Sequence, residues 1–286
     1  MERGFSFESV VGVADLGEAE GLRGLDELIE RRILLEEEAG AREEHEEQEP
    51  LLYPSPTYTF SHEKIRQVAY TEAGHARRRL LHRRAFELLE EGGASPAAQL
   101  ARHALVAGLA EQAFRYSVAA GDQAVEVFAA RDAIEHYQRA RELLAEAEQT
   151  GARRLVEPSI VELEHLYTRL GRTYDIADER EKARATYEEL LALGRQLGEA
   201  RLEVVSLNHL AVFDYHHGDD RKVRALLEGA GRMAEDAGLE EALVEIECNL
   251  AEVMAIHPWD HEHSGPLARK ALTSARTLQE RPDLVA

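Results

Sequence analysis

The chain of 286 residues contains one cysteine, Cys248. An intramolecular disulfide is excluded, and the composition fits a reducing compartment. Proline is scarce, at 8 residues, so long stretches hold nothing that would interrupt a helix. No apolar run approaches the roughly 20 residues of a membrane span. The start, Met1-Glu2-Arg3-Gly4-Phe5, has no apolar signal core, so a cytoplasmic protein with no membrane association is expected. Positive charge is also short. The net charge is −21, and both the first 92 residues and the remainder are acidic, which argues against a nucleic-acid partner. There is no Gly-x-x-x-x-Gly-Lys-Ser/Thr, no Gly-Lys pair at all, and no Gly-x-Ser-x-Gly elbow. Without a phosphate cradle or a nucleophile constellation, no enzyme is expected in this chain, and no cofactor is expected to bind to it.

What is abundant is Ala, Leu, Glu and Arg, all strong helix formers. Residues 5–35 read as two short helices, with Leu22, Leu25, Leu28, Ile29 and Ile33 at helical spacing. Ile33-Leu34-Leu35 can begin a strand. The acidic stretch 36–56 has no period and reads as a mobile loop. Thr57–Phe60 alternates like the returning strand of a hairpin. Two helices follow, about Glu63–Ala73 and His75–Glu91, and Gly92-Gly93 ends the second. Ser61 is the expected N-cap of the first, with His62 inside its opening turn. Helix, strand, long loop, strand and helix is the order of a winged-helix unit with an expanded wing.

From Ser95 onward helix follows helix, with breaks expected at Gly121, Gly151, Pro158, Gly198, Gly218, Gly238 and Gly265-Pro266. This part repeats. Gly171, Ala211 and Ala251 lie 40 residues apart, each a small residue where a second helix must approach closely. Downstream come Ala183-x-x-x-Tyr187-x-x-Leu190, Val223-x-x-x-Leu227-x-x-Ala230 and Ala268-x-x-x-Leu272-x-x-Ala275, with an earlier copy at Ala133-x-x-x-Tyr137-x-x-Ala140. A spacing of i, i+4, i+7 marks one buried helix face, and helix pairs at this period stack into a solenoid.

The pattern resembles the tetratricopeptide repeat in a variant of about 40 residues, over roughly residues 98–286. The expected fold is mainly α: a winged-helix-like unit with a small β-hairpin (1–92, wing loop 36–56), then a tetratricopeptide-like α-solenoid (95–286). Such repeats imply a protein or peptide partner. Tyr167, Tyr174, Asn208, Tyr215, His217 and Trp259 are candidates for the binding surface. The array lacks an obvious polar capping helix after "RTLQERPDLVA" (276–286), which suggests further repeats or end-to-end self-association.

The front of the chain, "FSHEKIRQVAY" followed by "ARRRLLHRRAFELLEE", is similar to the winged-helix region of STAND-type signalling ATPases of the maltose-regulator kind. "FSFESVVGVADL" looks like the middle of that winged helix. The resemblance implies a nucleotide-binding domain in a parent protein, with ADP or ATP as its ligand. It also implies that His62, in Ser61-His62-Glu63, matches a histidine that senses the β-phosphate of ADP; Ser and Glu stand where the family has Met and Asp. A histidine at a helix N-terminus can donate to a phosphate. The implied function is a non-catalytic sensor and relay segment. A stand-alone interaction scaffold is the alternative, and a winged-helix transcription regulator is weaker. The expected recognition helix, Leu22–Arg32, balances Arg23, Arg31 and Arg32 against Asp26, Glu27 and Glu30. The basic cluster Arg77-Arg78-Arg79 with Arg83-Arg84 is expected to pair with nearby glutamates. His217, His257, His261 and His263 fall at two inter-helix turns and are weak metal candidates, with no fixed ligand spacing. His103, His136, His165 and His209 read as packed or solvated helix residues.

Overall fold

The computed structural model describes residues 4–37, 56–93, 95–149, 156–217, 222–256 and 261–279. Within these residues the chain divides into two compact units, 1–120 and 121–286. The division falls inside a helix, later than the 92–95 boundary read from the sequence.

The first unit opens with β1 (Phe5–Ser6), α1 (Phe7–Ala14), α2 (Glu18–Glu30), β2 (Leu34–Glu37) and β3 (Thr57–Phe60). The strands form one antiparallel sheet in the order β1-β3-β2, with Leu34 opposite Phe60 and Phe5 opposite Tyr58. The small hairpin of β2 and β3 stands where it was expected, with one addition. Strand β1 is two residues long, too short for a period of two to register. Leu25, Leu34 and Tyr58 form the small core, with Phe5, Phe7, Ile29, Ile33 and Phe60 packed against it. The acidic stretch expected to be a mobile wing lies almost wholly outside the described residues.

Next come α3 (Glu63–Glu72), α4 (His75–Gly92), α5 (Ala97–Ala107) and α6 (Ala110–Glu126). The cap of α3 differs from expectation. His62 occupies the N-cap position in extended backbone and its side chain makes no capping bond. Ser61 sits one residue earlier, where its N–H donates to the Ile33 carbonyl and its Oγ is buried without a partner. The sheet bond to Ile33 holds Ser61 in the strand direction, so the chain turns into the helix one residue later.

The remaining helices are α7 (Ala130–Gln149), α8 (Ile160–Ile176), α9 (Arg180–Leu197), α10 (Ala200–His216), α11 (Val223–Ala237), α12 (Glu240–Ile256) and α13 (His261–Gln279). They form helix pairs in a tetratricopeptide-like stack. Helix α8 starts with a capping box: Ser159 Oγ accepts from the Glu162 N–H, and Glu162 accepts from the Ser159 N–H at 2.8 Å. Helices α9 and α11 end on Gly198 and Gly238, both left-handed, the conformation glycine adopts without a Cβ penalty.

The repeat is built on a small residue meeting a large one. A Cβ on Gly171 would stand 2.4 Å from Tyr187 Cε1, so only glycine lets α9 approach α8 this closely. Gly121 meets Tyr137 at the same 2.4 Å. Gly121 is therefore not the break expected from the sequence but the matching small residue of the preceding pair, inside α6. Ala211 and Leu227 take the same places in the α10–α11 pair, and both are fully buried. Pro266 likewise breaks nothing; it lies inside α13. Gly151 and Gly218 lie outside the described residues.

Candidate functional site

Helices α8, α10 and α12 are the first members of successive pairs, and each carries a row of mostly polar residues one turn apart, with Val205 the exception. On α8 these are Glu164, Thr168 and Arg172; on α10, Arg201, Val205 and His209; on α12, Glu241 and Glu245. A spacing of four keeps each row on one helix face. The rows line a groove of about 430 Å³, together with Gly238–Ala242 at the turn into α12.

Arg201 crosses the groove wall. Its Nε donates to Glu164 Oε2 at 2.5 Å, and its Nη2 lies 3.9 Å from Glu241 Oε2. One guanidinium thus ties three successive first helices. Asn249 of α12 donates to Asn208 of α10 at 2.9 Å and reinforces the same joint. Arg172, Glu240 and Glu245 also line the groove, and among the described residues none of them has an ion-pair partner. His209 stacks flat on Tyr187, with centroids 5.1 Å apart and an interplanar angle of 11°. Burial, aided by the nearby Arg172 charge, pushes its pKa down to about 4, so the ring is neutral at pH 7.

A second polar cluster surrounds Asp122. Its carboxylate accepts from the Tyr137 hydroxyl at 2.7 Å, from His165 Nε2 at 2.8 Å and from Arg169 Nε at 3.1 Å. Burial pushes the carboxyl pKa up, but the three donors outweigh it and hold it below the usual range. Three donors from two neighbouring helices meet this one carboxylate, so the cluster fastens α6, α7 and α8 together.

The residues singled out from sequence fall in several places. Tyr167 and Tyr174 are buried, their hydroxyls bonded to Glu189 and Gln138. Asn208 is buried as well, and Tyr215 packs on the α10–α12 core. These side chains lie between helices and present little surface. His217 is half-buried, with Nε2 2.8 Å from Asp175 Oδ1. Trp259, His257 and the side chains of His261 and His263 lie outside the described residues. Among the described residues no three His, Cys, Asp or Glu side chains gather as a metal site would require. His62 is exposed at the start of α3. Sequence reasoning missed Arg172, Arg201, Glu240 and Glu245, and took His209 only as a packed or solvated residue. For Arg172, Arg201 and Glu245 the readable signal was the four-residue spacing along each first helix.

The basic residues of α4 do not pair chiefly with glutamates as expected. Arg79 donates to the Ala107 carbonyl at the end of α5, Arg84 to Asp15 and the Ala14 carbonyl, and Arg78 lies over the Tyr70 ring. On α2, Arg31 pairs with Glu27. A separate hollow of about 810 Å³ in the first unit is lined almost wholly by apolar groups, among them Phe5, Val10, Leu28, Ile65 and Val68. No helix among the described residues is long and apolar enough to cross a membrane.

No family model matches the chain, and no curated protein matches it. Among solved structures, it is similar to BtubC from P. vanneervenii, with 18% identity, 76% of this chain and 78% of that chain covered, and a TM-score of 0.46. It is also similar to a signal transduction ATPase with numerous domains that has a tetratricopeptide repeat sensor, from Pyrococcus horikoshii. That pair is 11% identical with a TM-score of 0.45, and covers 99% of this chain and 50% of the other.

Proposed function

We propose that this chain is the non-catalytic sensor and relay segment of a STAND-type signalling ATPase. The repeats bind a protein, peptide or small-molecule signal, and the winged-helix-like unit passes it to a nucleotide switch in the parent protein. The observation that carries the sensing half is the α8/α10/α12 groove. It places a cation and two carboxylates without ion-pair partners among the described residues on one face, beside the neutral imidazole of His209.

The relay half rests on the resemblance of residues 58–91 to the switch region, and on His62. The imidazole sits at the N-terminus of α3 and makes no capping bond. It is therefore free to donate to an anion, with the helix dipole in the same sense. In the intact parent, His62→Ala is expected to speed ADP release about tenfold, the loss of one charge-assisted hydrogen bond. An unchanged ADP off-rate removes His62 from the switch.

A second reading, a stand-alone interaction scaffold, is favoured by the exposed apolar residues at two repeat turns. Phe128 is 95% exposed and Ile176 75%. A scaffold would be expected to keep its partner affinity regardless of nucleotide, whereas a relay would not.

A further inference from the structure

The charge layout of the groove narrows the class of ligand. It carries four carboxylates (Glu164, Glu240, Glu241 and Glu245) against two guanidinium groups (Arg172 and Arg201), so the lining is net negative. That disfavours phosphate-rich ligands and nucleic acid. Arg201 already holds Glu164 and Glu241. Arg172 remains as the unpaired cation, and Glu240 with Glu245 as unpaired anions. Glu240 and Glu245 come from α12 and Arg172 from α8, so charges of opposite sign stand on different walls. A bare cation would leave Arg172 uncompensated, and a bare anion would face the two glutamates. The apolar lining is only Val205, Leu239 and Ala242, too little to hold a purely apolar ligand. The volume of about 430 Å³ lies within the usual range of small-ligand sites.

We propose that the α8/α10/α12 groove binds a short peptide or peptide-like zwitterion. Its carboxylate meets Arg172, its ammonium or guanidinium group meets Glu240 and Glu245, and its backbone lies across Val205 and the His209 edge. Thr168 does not compete for the ligand, because its hydroxyl donates to the Glu164 carbonyl at 2.8 Å. This assignment rests on the sensor reading above and specifies the signal it would take.

The test uses the full chain, immobilised, and three randomised tetrapeptide libraries, all N-acetylated: one with a fixed lysine and a free carboxylate, one with lysine and a C-terminal amide, and one with norleucine in place of lysine and a free carboxylate. Retained peptides are quantified by mass spectrometry. The free-acid lysine library is expected to be retained about tenfold or more over each of the others, the effect of one charge-assisted contact. Arg172→Gln erases the preference for acid over amide, and the double change Glu240→Gln with Glu245→Gln erases the preference for lysine over norleucine. All three are exposed surface positions, so the fold should survive, and a circular dichroism melt verifies it. Equal retention of the three libraries, abolished by Val205→Arg, overturns the charge assignment and leaves the groove as the sensing face. No retention of any library overturns the ligand class outright. The ADP-release measurement then decides the relay reading independently.

Discussion

Tyr58 in the first unit and Tyr137 in the second are both buried, but the company they keep differs. Tyr58 shares a core with Leu25 and Leu34, while α1 and α3 beside them bury no residue at all. Val68 on α3 is 54% exposed, and an apolar hollow opens between these elements. Tyr137 belongs to a series in which the α6–α7, α8–α9 and α10–α11 pairs fill a space left by glycine or alanine, and Leu166, Leu170, Leu190, Leu202 and Leu227 are closed off from solvent. The copy expected at Ala268 and Leu272 departs from this, since both are exposed and Ala271 is buried instead. The repeats thus complete their own packing pair by pair, whereas the sheet unit leaves apolar surface for something else to cover. In the function proposed above, the groove of the repeats takes the signal and the apolar hollow of the first unit is the surface a relay would use.

The sharpest way to break this comparison is to remove core volume from each region. Leu227→Ala should cost about 2–5 kcal/mol, the range for a fully buried leucine. Leu28→Ala, at a position 38% exposed, should cost well under half of that. Chemical denaturation read through local probes in each unit measures both, and equal losses would contradict the contrast.

A smaller effect tests the small-to-large rule directly. Gly171→Ala puts a methyl group into the Tyr187 ring and should destabilise the repeats by about 1–3 kcal/mol, despite the better helix propensity of alanine. Adding Tyr187→Leu should recover most of that loss, because alanine with leucine is the solution already present at Ala211 and Leu227. A Gly171→Ala protein that melts higher than the parent chain would overturn the packing account.

The smallest effect is in pH. His103 packs against His82 at 4.8 Å between centroids, and the Nδ1 atoms of both are buried without partners. Burial, with His82 and Arg102 nearby, pushes the His103 pKa down to about 4; His209 reaches about 4 in the second unit. Both rings are neutral when folded and take up a proton near pH 6.5 when unfolded. Their contribution is therefore complete above about pH 6.5 and is lost as pH falls toward 4. Hydrogen exchange should show α4 and α5 loosening in that window, and His103→Gln should flatten the response there while leaving the α10 response intact. Protection in α4 and α5 that stays constant from pH 7 to 4.5 would contradict this. Asp122 acts lower, since its depressed carboxyl loses its donors only below the ordinary carboxylate range.

Much of this arrangement was legible in the sequence. The bounds of α3 and α4, the β2–β3 hairpin and the 40-residue interval of Gly171, Ala211 and Ala251 all carry local signals. Gly121 and Pro266 misled, because glycine marks both a helix stop and a close approach, and only the Tyr137 ring in space distinguishes them. Ser61 looked like a cap because the sheet bond that displaces it comes from Ile33, far away in the chain. The groove was hidden for a different reason. Arg172, Glu240 and Glu245 read as an ordinary solvated face until helices about 40 residues apart bring their rows together.

The central claim, a sensor wired to a nucleotide switch, is tested most directly by determining the gene sequence on both sides of this segment. The account predicts, in the same reading frame upstream, a strand followed by Gly-x-x-x-x-Gly-Lys-Ser/Thr and a helix, with an acidic partner strand. An in-frame stop codon directly before Met1 would contradict the relay, leaving His62 with nothing to sense and the repeats as an interaction scaffold.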